Sequence, residues 1–194
     1  MKICLFGGSF DPVHMGHVAI AAAAQAACGL DRVVFLPAAC SPFKKEGSAL
    51  FAPAARLAML HAAVRGLSWA EVSDLDMRLP APSWSWRIVE AMRAERPADE
   101  LYWLLGTDQW ELLHLWARPE YLAEQLTFVV YHRGAQPAPR AGVRAVFLQG
   151  PEYAASSSAI RESLLRGDAL PAGWLAPEVE QIAVRELTRN RACL

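Results

Sequence analysis

Apolar residues along this chain fall in short runs separated by polar turns, and the repeat of the pattern changes from run to run. Ile3-Cys4-Leu5-Phe6 is unbroken and apolar, which fits a buried strand. Val18 to Ala27 is almost pure helix former and is closed by Gly29. Arg32-Val33-Val34-Phe35-Leu36, β-branched and aromatic, ends at Pro37 and reads as a second strand. Pro53 to Val64 reads as a helix with Leu57, Leu60 and Val64 on its core face. Trp69 to Ser73 is a third strand. A helix follows from the Ser83/Ser85 region to Glu95, with Ile88, Val89 and Met92 inward. Leu101 to Leu105 is an uninterrupted, central strand, followed by a short helix over Trp110–Leu115. Leu126–Tyr131 and Val143–Leu148 are the last strands. Two helices close the chain, one opening at Ser156-Ser157-Ser158 and one running from Trp174 to Ala183 past Pro177.

Strand, helix and strand at this spacing form a βαβ unit, which requires a parallel pair and a right-handed crossover. The fold class expected is α/β, a Rossmann-like doubly wound parallel sheet with helices on both faces. Ligands in such sheets bind beyond the C-terminal ends of the strands. A length of 194 residues and 54% hydrophobic content suit one domain, 1–194, with a substantial core.

Charge and cysteine usage narrow the function classes. A net charge of −1 supplies no basic field, so no nucleic-acid partner is expected. The cysteines Cys4, Cys28, Cys40 and Cys193 have no C-x-x-C spacing, which argues against a zinc or dithiol site. Lys2 leads straight into the first strand, so no signal peptide is expected. The alanine-rich helix is too short and too weakly apolar to span a bilayer. The expectation is a cytoplasmic protein without a membrane partner.

The candidate chemistry gathers after the first strand, in Gly7-Gly8-Ser9-Phe10-Asp11-Pro12-Val13-His14-Met15-Gly16-His17. Gly7 and Gly8 leave room for a phosphate to approach the main chain, and the helix after them points its free N–H groups at that spot. His14 and His17, three apart on the first turn, can face one side and stabilise charge on a phosphoryl group. Ala38 to Ala52 is a long loop carrying Lys44 and Lys45, two of only three lysines, and its length raises the idea of a lid over nucleotide. Asp108, in Gly106-Thr107-Asp108, directly follows a central strand and could accept bonds from ribose hydroxyls. With Ser158 as N-cap, Arg161 would fall at the third helical position. A cation there opposes the helix dipole unless an anion lies between them, so Ser156, Ser158 and Arg161 read as a phosphate clamp.

The segment G-G-S-F-D-P-V-H-M-G-H resembles the H-x-G-H signature of the nucleotidyltransferase superfamily, and within it the bacterial nicotinate mononucleotide adenylyltransferases. The likeness runs from Ile3 to about Ala183 and implies the nucleotidyltransferase fold. It further implies transfer of AMP from ATP to nicotinate mononucleotide, giving nicotinate adenine dinucleotide and pyrophosphate. Mg²⁺ would arrive with ATP, without a metal cage of the protein's own. By the same resemblance Gly7, Gly8, Ser9 and Phe10 surround the nucleotide, and His14, His17, Lys44 and Arg161 act on its phosphates. Ser83, Trp84 and Ser85, in place of the family's P-S-Y-T, would recognise the nicotinate carboxylate. Gly106 and Asp108 match G-x-D, Trp116 would stack on the pyridine ring, Arg133 would contact the nucleotide or stand exposed, and Arg56 matches a family position or is a surface arginine.

Phe43 departs from the family pattern, since it replaces a histidine in P-P-H-K. Two alternatives fit the same motifs: another H-x-G-H enzyme (a phosphopantetheine adenylyltransferase or a cytidylyltransferase), and a catalytically weak nucleotide sensor. Nicotinate versus nicotinamide preference is open at this point, as is a homo-oligomer.

Overall fold

Alternation along the strands decides the layers. The computed structural model describes residues 1–40 and 49–192. Among the described residues six strands form one sheet: β1 (Lys2–Gly8), β2 (Arg32–Pro37), β3 (Ala70–Val72), β4 (Glu100–Gly106), β5 (Thr127–His132) and β6 (Ala145–Gln149). Every pairing is parallel and the order is β3-β2-β1-β4-β5-β6. This is the doubly wound order, in which the chain reverses direction across the sheet between β1 and β4. The register sets Gly7 beside Leu36 and Gly8 beside Pro37, so β1 and β2 end level.

Successive side chains of a strand face opposite sides. Cys4, Phe6, Val33, Phe35, Val129 and Tyr131 pack into one core with α1 (Met15–Cys28), α2 (Pro53–Ala63), α7 (Ser157–Arg166) and α8 (Pro177–Ala192). Ile3, Leu5, Val34, Leu36, Trp103, Phe128 and Val130 face a second core on the other side. That core is covered by α3 (Leu75–Arg78), α4 (Ser85–Glu95), α5 (Thr107–Glu111) and α6 (Pro119–Gln125). Both sheet faces are therefore buried, which is why these strands read as continuous apolar runs. Among the described residues no helix is long and apolar enough to cross a membrane.

Gly29 ends α1 in the left-handed conformation at φ 59°, and its N–H bonds the Gln25 carbonyl. Several boundaries differ from the sequence pattern. The helix expected over Trp110–Leu115 starts earlier, as α5, and breaks into one 3-10 turn at Leu113–Leu115. The short helices α3 and α6 have too few residues to show a helical repeat, and the apolar pattern misses both. On α2 the buried face is Ala55, Arg56, Met59 and Leu60, with Leu57 only half-buried. An arginine occupies a core-facing position there, and a hydrophobicity pattern cannot register it.

Candidate active site

A cavity of about 390 Å³ opens at the C-terminal ends of β1, β2 and β4, the switch point of the sheet. Gly7, Gly8 and Ser9 form one side. Leu36 and Ala38 come from the end of β2, Gly106 and Gln109 from the end of β4 and the turn after it, and Ser83, Ser85 and Trp116 from the outer elements.

The two glycines lie against aromatic rings. A Cβ on Gly7 would lie 2.9 Å from the Trp103 ring, and one on Gly8 would lie 3.1 Å from the Phe10 ring. Their missing side chains make room for aromatic walls first, and the backbone reaches the cavity as a consequence. Phe10 itself is buried at φ 44° and meets the His17 ring edge-on at 5.0 Å.

His14 is the N-cap of α1 and His17 its third residue, and their rings lie 3.8 Å apart. The Gly16 between them is required, because a Cβ would come 2.9 Å from His14 Nδ1 and 3.1 Å from Tyr153 Cβ. The His14 backbone N–H donates to His17 Nδ1 at 3.2 Å. In the neutral ring the proton therefore sits on Nε2, which leaves that atom as a donor. Burial pushes the His14 pKa down to about 4, and burial with the neighbouring His14 ring lowers that of His17 well below the ordinary histidine value. Both rings are neutral donors near pH 7 until an anion arrives. Among the described residues, buried His14 Nδ1 has no hydrogen-bond partner, and neither does buried Trp116 Nε1. Trp116 lines the cavity, and an unsatisfied polar atom there suits a polar ligand.

Around the histidines a polar frame holds the loops, and the sequence reading assigned little of it. Asp11 is buried, and its carboxylate accepts from the N–H groups of Phe51 and Leu50, each at 2.9 Å. Arg56, only 2% exposed, donates to Ser9 O and Ala38 O at 2.8 Å and to Phe51 O at 3.2 Å. It is no surface arginine. Its guanidinium ties the ends of β1 and β2 to the start of α2. Asp76, on α3, accepts from Ala39 N–H at 2.8 Å and from the Ser83 hydroxyl at 2.5 Å. The signal for Arg56 was chemical, a charged residue inside an otherwise apolar helix; Asp76, between Asp74 and Arg78, gave none.

The clamp on α7 also differs. Ser156, not Ser158, is the N-cap, and its side chain accepts from Ala159 N–H. Arg161 is therefore the fifth helical residue and lies outside the first turn, where the dipole argument holds. It donates to Asp11 O at 2.8 Å and to Ser158 Oγ at 3.1 Å, with the Asp11 carboxylate 3.7 Å away. Ser157 donates to Pro12 O. So α7 docks onto the opening loop and places Ser158 and Arg161 near the histidines.

Other expected residues are placed as follows. Trp84 is the N-cap of α4, with no side-chain cap bond, so the serines do not cap this helix. Ser83 and Ser85 line the cavity, and Trp84 is not part of its wall among the described residues. The Ser83 hydroxyl gives its one proton to Asp76 and so cannot also donate to a ligand. Gly106 lines the cavity, whereas Asp108 is exposed on α5 and Gln109 takes the place at the wall. Trp116 lines the cavity with its ring edge-on to Trp103 at 5.8 Å. Arg133 is exposed and paired with Glu152. Lys44, Lys45 and Phe43 lie outside the described residues, as does most of the loop read as a lid.

Asp76, at the cavity wall, and Asp11, in the loop after β1, accept from backbone N–H and serine donors, with Arg161 3.7 Å from the Asp11 carboxylate. No cluster of three or more His, Cys, Asp or Glu side chains among the described residues could hold a metal ion.

Comparison with known proteins then decides the family. A family model described as cytidylyltransferase-like matches residues 5–163. A protein of Opitutus terrae named "Probable nicotinate-nucleotide adenylyltransferase" is 35% identical over 190 residues, covering 96% of each chain. The chain belongs to the nicotinate-nucleotide adenylyltransferases. A Thermus thermophilus member with the same name is 39% identical over 168 residues, 86% of this chain and 88% of its own. The fold agrees as well: the nicotinic acid mononucleotide adenylyltransferase of Plasmodium falciparum, complexed with NaAD, superposes with a TM-score of 0.75 at 17% identity, covering 98% of this chain and 96% of that one. Membership explains why the adenylyltransferase motif sits at the switch point of the sheet, since that is where the β1 loop and the β4 turn face one another.

Proposed function

We propose that this chain transfers AMP from ATP to nicotinate mononucleotide, releasing pyrophosphate and forming nicotinate adenine dinucleotide. The observation that carries the reading is the pair of half-buried histidines with lowered pKa values, 3.8 Å apart at the start of α1, on the loop that continues from the cavity-lining Gly7, Gly8 and Ser9, in a cavity that also presents Trp116 and Ser85. The 5′-phosphate of the mononucleotide attacks the α-phosphorus of ATP in line, the α–β bridging P–O bond breaks, and pyrophosphate leaves. The attacking phosphate is already ionised and needs no general base, so the protein positions the reactants and stabilises charge. His17 Nε2–H and the His14 ring donate to the α-phosphoryl oxygens as they gain charge. Arg161 and Ser158 hold the departing phosphates, with Asp11 fixing the guanidinium from behind. Mg²⁺ enters as part of the MgATP substrate, in keeping with carboxylates already committed to protein donors. At the other end the Trp116 ring covers the pyridine, and the start of α4 with the Ser85 hydroxyl receives its carboxylate.

The test is pyrophosphate release from MgATP with nicotinate mononucleotide, nicotinamide mononucleotide or phosphopantetheine offered separately. Turnover with the nicotinate form, reduced about 10²–10³-fold in His17→Ala without loss of folding, is expected for removal of one charge-stabilising donor. Equal or greater turnover with phosphopantetheine would overturn the substrate assignment. Binding of ATP with no turnover on any acceptor would make the chain a nucleotide sensor.

A further inference from the structure

Asp76 carries a buried charge that has no part in the chemistry just described. It is 2% exposed, yet it reaches the cavity wall from α3. Its Oδ2 accepts from Ala39 N–H and from the Ser83 hydroxyl. Ser83 Oγ in turn accepts from Cys40 N–H at 3.0 Å, and Ser83 N–H donates to Cys40 O at 2.9 Å. Four hydrogen bonds thus join two segments far apart in sequence: residues 39–40, which leave β2, and Ser83, two residues before α4 begins. On the other side of the same short segment, Ala38 N–H donates to Gly8 O at 2.8 Å, and Ala38 O accepts from Arg56. Residues 38–40 are therefore bonded toward the phosphate end of the cavity through Gly8 and Arg56, and toward the pyridine end through Asp76 and Ser83.

We propose that Asp76 is a positioning residue. Through the Ser83 hydroxyl it holds the Ser83–Ser85 segment against residues 39–40, and it thereby sets the geometry of the pyridine end of the cavity. The inference rests on the reading of this chain as an adenylyltransferase for a pyridine mononucleotide. A carboxylate suits the task because one oxygen accepts from both a backbone N–H and a hydroxyl, and charge strengthens both bonds. Orienting the Ser83 proton onto Asp76 also keeps Ser83 from competing with Ser85 for the substrate. Without Asp76 the Ala39 N–H and the Ser83 hydroxyl lose their acceptor, only the two Cys40–Ser83 bonds still join the segments, and the pyridine half loosens its fit. The histidines and the α7 clamp hang on Asp11 and α1 and keep their arrangement.

Steady-state kinetics on both substrates test this. In Asp76→Ala the KM for nicotinate mononucleotide should rise about tenfold, the equivalent of about 1.4 kcal/mol, while that for ATP changes less than about threefold. Asp76→Asn keeps a carbonyl acceptor and should recover most of the loss. Ser83→Ala, a smaller change that keeps Asp76, should reproduce most of the rise. The double variant should be no worse than Asp76→Ala alone, because both act through one connection. A KM for mononucleotide unchanged in Ser83→Ala and Asp76→Ala alike, with only a lowered melting temperature in Asp76→Ala, would overturn the assignment. So would an equal rise in both KM values. Wild-type turnover in the same assay reports on the function itself, so a failure of the reaction is distinguishable from a failure of the Asp76 assignment.

Discussion

Arg56→Met tests whether the frame around the cavity is held by a buried guanidinium. Methionine keeps the straight aliphatic stem and most of the volume, so packing on α2 changes little. What disappears is the donor set: Nε to Phe51 O at 3.2 Å, and Nη1 to Ser9 O and Ala38 O at 2.8 Å. Phe51 is 1% exposed, so its carbonyl has little access to water and costs about 1–3 kcal/mol when abandoned. Ser9 and Ala38 line the cavity, where water can replace the donor, so about 0.5–1 kcal/mol each is a reasonable discount. The sum is about 3 kcal/mol. For a chain of this length that corresponds to a fall in Tm of about 6–12 °C. Burial lowers the pKa of this arginine, and the nearby carboxylates of Asp11 and Asp76 oppose the shift, so the guanidinium remains a cation, and removing it leaves those two charges less balanced. Arg56→Lys keeps the charge, but its single ammonium cannot reproduce the fork, and about half the loss should remain. The assay is thermal unfolding followed by circular dichroism, without nucleotide. A melting temperature for Arg56→Met within about 2 °C of wild type would refute the reasoning, because no arrangement in which three carbonyls depend on this side chain survives so small an effect.

Other consequences follow from the histidines and the glycines. Because the folded, unliganded chain holds His14 and His17 with lowered pKa values, the unfolded chain binds more protons below about pH 6.5; stability should therefore fall as the pH drops from there through about 4 and level off below the folded value. A bound polyphosphate raises both pKa values, so ATP binding near pH 6 should take up protons and tighten as pH falls. Calorimetry in two buffers of different ionisation enthalpy reads the proton count, and proton release would contradict the arrangement. In Gly7→Ala the new Cβ must displace Trp103 from a 2.9 Å contact, costing about 1–3 kcal/mol in urea unfolding and disturbing the Trp116 wall, so the KM for the mononucleotide should rise more than that for ATP. An unchanged unfolding midpoint would show that the Trp103 contact is slack.

Much of this molecule was legible in one dimension because its signals are local. The strand-turn-helix context of Gly7 to His17 is written in contiguous residues, and the short apolar runs announce strands buried on both faces. The Gly29 stop, the parallel sheet and the histidine pair all follow from spacing and side-chain type, which survive without any knowledge of the partners. Ser158 as an N-cap failed for the same reason. Three serines in a row offer three equivalent local caps, and only the docking of Ser157 onto Pro12 and of Arg161 onto Asp11 selects Ser156.

The functions of Arg56, Asp76 and Asp11 were decided by tertiary structure alone. Each is a charged group whose partners lie far away in sequence, and a linear pattern assigns such residues to the surface by default. Folding brings the ends of β1 and β2, the start of α2 and the segment before α4 to one edge of the sheet. Only there do the carbonyls of Ser9, Ala38 and Phe51 call for a cation, and the N–H groups of Ala39, Leu50 and Phe51 for carboxylates. Sequence by itself determined the chemistry at the end of β1, because two histidines and their glycine spacer act within one helical turn. The tertiary structure decided how the rest of the cavity is held around them, because a buried charge is stable only where distant backbone groups converge to satisfy it.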